Sequence, residues 1–400
     1  MQPGRGAFAC NPEVLAARRD DLRRRMAAEG FAAALLSHSR DVLYYTGTAQ
    51  PANLAVVASG DPVLFARRAT DLIRQDVAGL EVRTEASVRG PVAMLLAGGS
   101  GGRLGVALDI VPAAQVRRLE ALLPGWEVAD ISPLVLAQRS VKQTCEIEAI
   151  AAAAALCSVA DETIRRVVAP GMSPVEVAAE VGRSLRRAGA EEIIFFRRWG
   201  AWLPASGIFA SGAEAASISG HAMTVTGIGS SRALPWGPSW RPMEKGEALY
   251  ADLGLNLGGY HGDFTRTYTL GPIDAAAREL FDAALAAQDA ALAALVPGAR
   301  ANAPMLAALE AVRSRGFGSS FQGYGDQQGD YVGHGLGLEI DEPPTLSSTA
   351  TWTLQARMCL AVETKLIGPD WGGIGIEDTV VVEEAGPRVL TPVVRELIEL

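Results

Sequence analysis

Cysteine is scarce in this chain of 400 residues: Cys10, Cys145, Cys157 and Cys359 occur without metal-site or disulfide spacing. That excludes a disulfide-stapled scaffold and fits a reducing compartment. Long apolar runs are lacking as well. The longest helical one, Ala149 to Cys157, falls well below the ~20 residues needed to span a bilayer. Ala7 to Cys10 is too short for a signal-peptide core. Positive charge is nowhere concentrated. The formal net charge is −9, and Arg23-Arg24-Arg25 lies in a mixed-charge helical context that reads as a solvated face. No nucleic-acid footprint results. The expectation is a cytoplasmic protein with neither a nucleic-acid nor a membrane partner.

What is present is an ordinary globular mix, 49% apolar and 20% charged, at a length that suits two or three domains. A helix is expected from Pro12 to Gly30, followed by short strands at Ala32–Leu36, Leu54–Ala58 and Pro62–Phe65. Helices at Ala69–Ala78 and Ala113–Leu122 continue the α/β alternation as far as Val128–Ile131. The character then changes. One long Ala-rich helix is expected from Lys142 to about Val168, and a second over Pro174–Ala188 with Ser173 as its N-cap. Strand-like, Gly-punctuated sequence follows, interrupted by helices at Ala275–Leu295 and Ala303–Arg315. The domain boundary is placed near residue 140, giving domains 1–140 and 141–400.

Three stretches of the second half carry chemistry. Leu249 to Gly254 and Gly258 to Thr267 read as a hairpin centred at Leu257–Gly258, which sets Asp252 directly across from Asp263. Carboxylates so close repel unless a cation lies between them. In Val332-Gly333-His334-Gly335, glycines on both sides leave the imidazole open to close approach by an ion or substrate. Leu360 to Lys365 and Ile374 to Val380 form another hairpin, with Glu363 and Glu377 symmetric about Asp370. An unpaired carboxylate in such apolar strands is strongly unfavourable. Four carboxylates and one histidine suit two hard or borderline divalent ions.

The order Asp252, Asp263, His334, Glu363, Glu377, with the blocks around it, resembles the pita-bread metallopeptidase family of prolidase, aminopeptidase P and methionine aminopeptidase. Tyr44-Tyr45-Thr46-Gly47 is similar to the creatinase/prolidase N-terminal domain. The resemblance implies an α+β protein: a C-terminal pita-bread domain preceded by an α/β creatinase/prolidase N-terminal-like domain. It further implies that Asp263 and Glu377 bridge two ions, Asp252 chelates one and His334 binds the other. Glu363 would bind one ion and shuttle the proton from water to the leaving nitrogen. A homodimer is implied too, the N-terminal domain of one chain helping to cover the other's site. Manganese is foremost as the metal, with iron, cobalt or zinc tolerated by the same ligands.

Two positions depart from the peptidase pattern. Trp236, in Ala233-Leu234-Pro235-Trp236, stands where one substrate-site histidine is expected, and Asp341, before Glu342-Pro343-Pro344, stands where the other is. An indole face and an added carboxylate favour a cationic group on the substrate. Asp341 is therefore a candidate catalytic residue alongside Glu363. Trp236, Arg198 of Phe195-Phe196-Arg197-Arg198-Trp199, and His221 are candidate substrate contacts, while His261 is expected at the surface or behind the ligands. The leading expectation is a dinuclear-metal hydrolase of a C–N bond in a dipeptide or small amide. A lyase of the dimethylsulfoniopropionate-lyase type, a hydrolase of a non-peptide cationic substrate and a non-enzymatic binding module are the alternatives.

Overall fold

The computed structural model describes residues 8–58, 60–85, 87–97, 101–198, 200–201, 203–204, 207–219, 225–272, 274–369 and 371–400. The chain separates into two compact units, Met1–Arg139 with Arg197–Gly200, and Ser140–Phe196 with Ala201–Leu400.

In the first unit, helix α1 (Pro12–Ala28) starts where the Asn11 side chain accepts a hydrogen bond from the Val14 amide at 2.9 Å. Strand β1 (Phe31–Leu36), helix α2 (Ser39–Thr46), strands β2 (Ala52–Val57) and β3 (Val63–Ala66), helix α3 (Thr70–Asp76) and strand β4 (Glu81–Thr84) follow. Helix α4 (Arg89–Ala97), strand β5 (Gly102–Val106), helix α5 (Ala113–Leu122), strand β6 (Trp126–Asp130) and helix α6 (Ser132–Ser140) complete the series. The six strands form one mixed sheet in the order β4-β3-β2-β1-β5-β6. The Tyr44-Tyr45-Thr46 segment, which periodicity left unassigned, lies in α2. A buried charge cluster anchors that helix. Asp41, fully buried, accepts from Arg139 Nη1 at 2.8 Å and Arg197 Nη1 at 2.9 Å, while Arg197 also grips both oxygens of Asp109. Burial alone would raise the Asp41 pKa. The hydrogen bond to His38 and the charges of Arg197 and Arg139 instead hold it well below the usual carboxylate range.

The second unit opens with a correction. The single helix expected from Lys142 to Val168 is two, α7 (Thr144–Ala154) and α8 (Cys157–Val167). At the junction the ladder tightens to three-residue steps, Leu156 N to Ala153 O and Ser158 N to Ala155 O, a spacing that apolar periodicity does not register. Helix α9 (Pro174–Arg187) is capped as expected, Ser173 Oγ and the Glu176 amide facing each other with the Glu176 carboxylate returning to the Ser173 amide. Helices α10 (Ala275–Ala293) and α11 (Ala303–Arg313) come later.

The strands are β7 (Ile193–Ile194), β8 (Leu203–Pro204), β9 (Ile208–Ser211), β10 (Ala248–Leu257), β11 (Tyr260–Thr269) and β12 (Gly333–Gly335). Then come β13 (Glu342–Thr345), β14 (Cys359–Gly368), β15 (Gly372–Val381), β16 (Arg388–Val389) and β17 (Ile398–Glu399). Nine of them form one sheet along the path β13-β12-β14-β15-β11-β10-β9, with β16 on β15 and β17 on β11. Along each long strand, residues of one parity enter apolar clusters with the helices. Leu253, Leu255 and Phe264 pack with Ile164, Val177 and Val181, and Leu360, Val362, Ile376 and Val380 pack with Phe281, Ala284 and Ala291. The other parity is left for the opposite face.

Cys157 and Cys359 are buried free thiols, each pushed by burial up to about 12. No helix among the described residues is long and apolar enough to cross a membrane.

On the helix side of the sheet lies the buried pair Arg266–Asp378, 2.8 Å apart. Arg266 spends its remaining donors on the carbonyls of Thr265, Glu377, Val393 and Val394, which ties β11, β15 and the C-terminal segment together. Asp378→Ala would leave that guanidinium uncompensated. It is expected to lower the unfolding free energy by about 3–5 kcal/mol in chemical denaturation. Asp71→Ala, at the exposed pair with Arg74, should stay within about 1 kcal/mol of the parent.

Candidate active site

Register brings the expected ligands onto the face opposite the helices. Glu363 on β14 pairs with Glu377 on β15, Glu377 with Thr265 on β11, and Thr265 with Asp252 on β10, a single row across four strands. Asp263 lies two residues along β11 from Thr265 and so shares this face. His334 enters from β12, which pairs with β14 at Ala361.

The expected facing of Glu363 and Glu377 holds, although Asp370 at the centre of that hairpin lies outside the described residues. The other hairpin is shifted from expectation by two residues. Asp252 faces Thr265, and Asp263 faces Gly254. The cause is the turn: Gly258 and Gly259, at φ of 60° and 83°, form a two-residue loop closed by Leu257 and Tyr260. Because the slip is even, both carboxylates keep the same face.

One donor atom each from Asp263, His334 and Glu377 lies within 4.8 Å of the other two, a cluster able to hold a metal ion. His334 Nε2 is 3.8 Å from Asp263 Oδ2 and 3.6 Å from Glu363 Oε1. Thr265 donates its hydroxyl to Glu377 Oε2 at 2.6 Å, and Thr379 receives the Asp263 amide at 2.7 Å. Asp252 and Glu363 meet elsewhere, on Lys365. Its buried Nζ lies 3.4 Å from Asp252 Oδ2 and makes a very short contact with Glu363 Oε2. Tyr250 donates to the same Asp252 oxygen at 3.0 Å. Sequence reasoning missed Lys365, Tyr250 and Thr265. The signal was available, since each lies two residues from an expected ligand in an alternating strand.

The remaining candidates are dispersed. Asp341 is half-buried, and its charge acts on His334. Trp236 is 2% exposed, so its indole presents no open face. Arg198 is exposed on the segment that groups with the first unit, and it is Arg197 that is buried. His221 lies outside the described residues. His261 is not at the surface. It is fully buried, with Nδ1 3.0 Å from Gly337 O and Nε2 accepting from the Phe195 amide at 3.2 Å. Those partners assign the proton to Nδ1. Ile340 N in turn donates to Phe195 O at 2.9 Å, so the loop that carries Asp341 is fixed to this histidine.

Burial, then mutual repulsion, raises the pKa of Asp263 and Glu377 well above the carboxylate range. Burial also raises Asp252, against the opposing pull of Lys365. Burial alone would lower His334, but Asp341, Glu363 and Asp263 raise it. The donor set therefore fits a divalent cation both in spacing and in its need for positive charge.

Residues 148–384, which contain all of this face, match metallopeptidase family M24, and residues 18–141 match the creatinase/prolidase N-terminal domain. The chain belongs to metallopeptidase family M24. It is a metal-dependent hydrolase of the pita-bread fold. It is 30% identical to an Xaa-Pro dipeptidase of Pyrococcus furiosus over 276 residues, which is 68% of this chain and 69% of the relative. It is 27% identical to an uncharacterized peptidase, YqhT, of Bacillus subtilis, across 95% of this chain and 99% of that one. The fold is similar to that of an Xaa-Pro dipeptidase from Bacillus anthracis, with a TM-score of 0.83 and 23% identity, over 96% of this chain and all (100%) of the other.

The raised carboxylate pKa values set a pH dependence. The strain of the charged cluster is absent below the ordinary carboxylate range, about 4, and grows as pH rises toward the folded-state values. The metal-free M24 chain should therefore lose stability through that window. Divalent-metal binding, which must expel protons, should tighten over it. Glu377→Gln is expected to keep or raise the metal-free melting temperature at pH 7 and to abolish the further rise on adding Mn(II). A lower metal-free melting temperature in this variant would contradict the repulsion account.

Proposed function

We propose that this chain hydrolyses the C–N bond of small Xaa-Pro-type dipeptides or related amides, using divalent metal held by Asp252, Asp263, His334, Glu363 and Glu377. The observation that carries the reading is the convergence of Asp263, His334 and Glu377 within 4.8 Å on a buried sheet face, with Glu363 3.6 Å from His334. Bound metal supplies Lewis acidity, polarising a carbonyl oxygen and making water a usable nucleophile near neutral pH. Glu363 would take the proton of the attacking water and return it to the leaving nitrogen. The name of the Pyrococcus furiosus relative supports the dipeptide substrate. Manganese as the ion and a homodimer as the assembly belong to the same proposal.

Asp341 bears on specificity. Its half-buried carboxylate, close enough to influence His334, suits the cationic amino terminus of a dipeptide. The enclosed Trp236 lends no support to a cation–π wall, so the charge of Asp341 is what favours a cationic substrate.

The test is proline release from a panel of Xaa-Pro dipeptides by Mn(II)-loaded protein. Turnover of about 1 s⁻¹ or faster, lost on chelation, is expected. Glu363→Gln should lower kcat by at least ~10²-fold while metal remains bound, and Asp341→Asn should act mainly on KM for substrates with a free amino group. Metal-loaded protein inactive on the whole panel would refute the dipeptidase reading.

A further inference from the structure

We infer that the ammonium group of Lys365 occupies the second cation position of this site, so that the chain holds one tightly bound divalent ion where a pair is expected. The inference rests on the metal-site reading above and concerns how that site is filled.

The cluster divides into two ends. Asp263, His334 and Glu377 offer donor atoms within 4.8 Å of one another. At the other end Asp252 and Glu363 converge on Lys365 Nζ, which lies 3.4 Å from Asp252 Oδ2 and in closer contact with Glu363 Oε2. An ion bound through Asp252 Oδ2 or Glu363 Oε2 competes with the ammonium for that oxygen. Asp252 Oδ2 is further committed to the Tyr250 hydroxyl at 3.0 Å.

The ammonium is built into this place. Lys365 is 1% exposed, pairs across the ladder with Gly375, and passes the Tyr250 ring at 5.7 Å. A Cβ at position 375 would come within 2.9 Å of Lys365 Cγ and 3.0 Å of Tyr250 Cε2, so the glycine provides the channel along which the lysine stem runs. Withdrawing the buried ammonium from Asp252 and Glu363 would break both ion pairs, which is strongly unfavourable.

The experiment is a count of metal per chain. Full-length protein is stripped by chelation, loaded with excess Mn(II), desalted and analysed by plasma mass spectrometry, with an electron paramagnetic resonance spectrum of the same sample. One ion per chain with the spectrum of an isolated Mn(II) is expected. Lys365→Met, which removes the charge and keeps the length, should raise the count to two and give an exchange-coupled spectrum. Two ions per wild-type chain would overturn the inference and leave the hydrolase reading intact, and this measurement needs no variant to fold. A Lys365→Met protein that folds and still holds one ion would also overturn it. No bound ion at all would remove the metal site, and the inference with it.

Discussion

Like charge concentrated on a buried sheet is the constraint around which this molecule is arranged. Glu363, Glu377, Asp263 and Asp252 share one face of strands buried on both sides. Desolvation makes Asp252, Asp263 and Glu377 harder to ionise, and the carboxylates around them raise them further. Three kinds of group answer this. Hydroxyls of Thr265 and Tyr250 donate to individual oxygens, Lys365 neutralises the Asp252–Glu363 end, and a divalent ion suits the Asp263–His334–Glu377 end. Function follows from the part of the charge that the protein leaves for an exogenous cation.

Repulsion on one face has to be resisted on the other, or the strands would splay. The resistance is chemically specific. Arg266 and Asp378 lie on the helix side next in sequence to Thr265 and Glu377, and the guanidinium reaches the main chain of both β11 and β15. Gln288 of α10 bonds the Val362 carbonyl at 2.8 Å, fastening β14 to the same layer. Around these polar ties lie the apolar clusters of α8 with α9 and of α10 with α11. The strand pairing that carries the row of carboxylates is thus held from behind by both packing and hydrogen bonds.

Much of this was legible because it follows from period. Strands alternate, so carboxylates in otherwise apolar runs announce a second, polar face. The symmetric placement of Glu363 and Glu377 gave their pairing directly. Asp252 and Asp263 were read onto the correct face but with the wrong partners, because the pair Gly258-Gly259 sets the turn and hydrophobicity alone does not fix register to two residues. The break between α7 and α8 left no mark in an alanine-rich run where every residue favours helix. His261 was left open between the surface and a place behind the ligands for a different reason. Its partners, Gly337 O and the Phe195 amide, lie 76 and 66 residues away in sequence, and no local pattern encodes them.

Lys365 shows what a motif reading overlooks. Matching ligands in order picks out the acids and the histidine and passes over a lysine two residues beyond one of them. Charge accounting does not pass over it, since a buried ammonium between two carboxylates changes what cation the rest of the set requires. The same accounting changes how Asp341 is read. A site with a fixed positive charge at one end and an added carboxylate near its histidine is polarised along its length. Under the proposed function, that polarity would favour substrates with a cationic amino terminus toward Asp341 and an electron-rich carbonyl toward the metal over neutral amides of equal size.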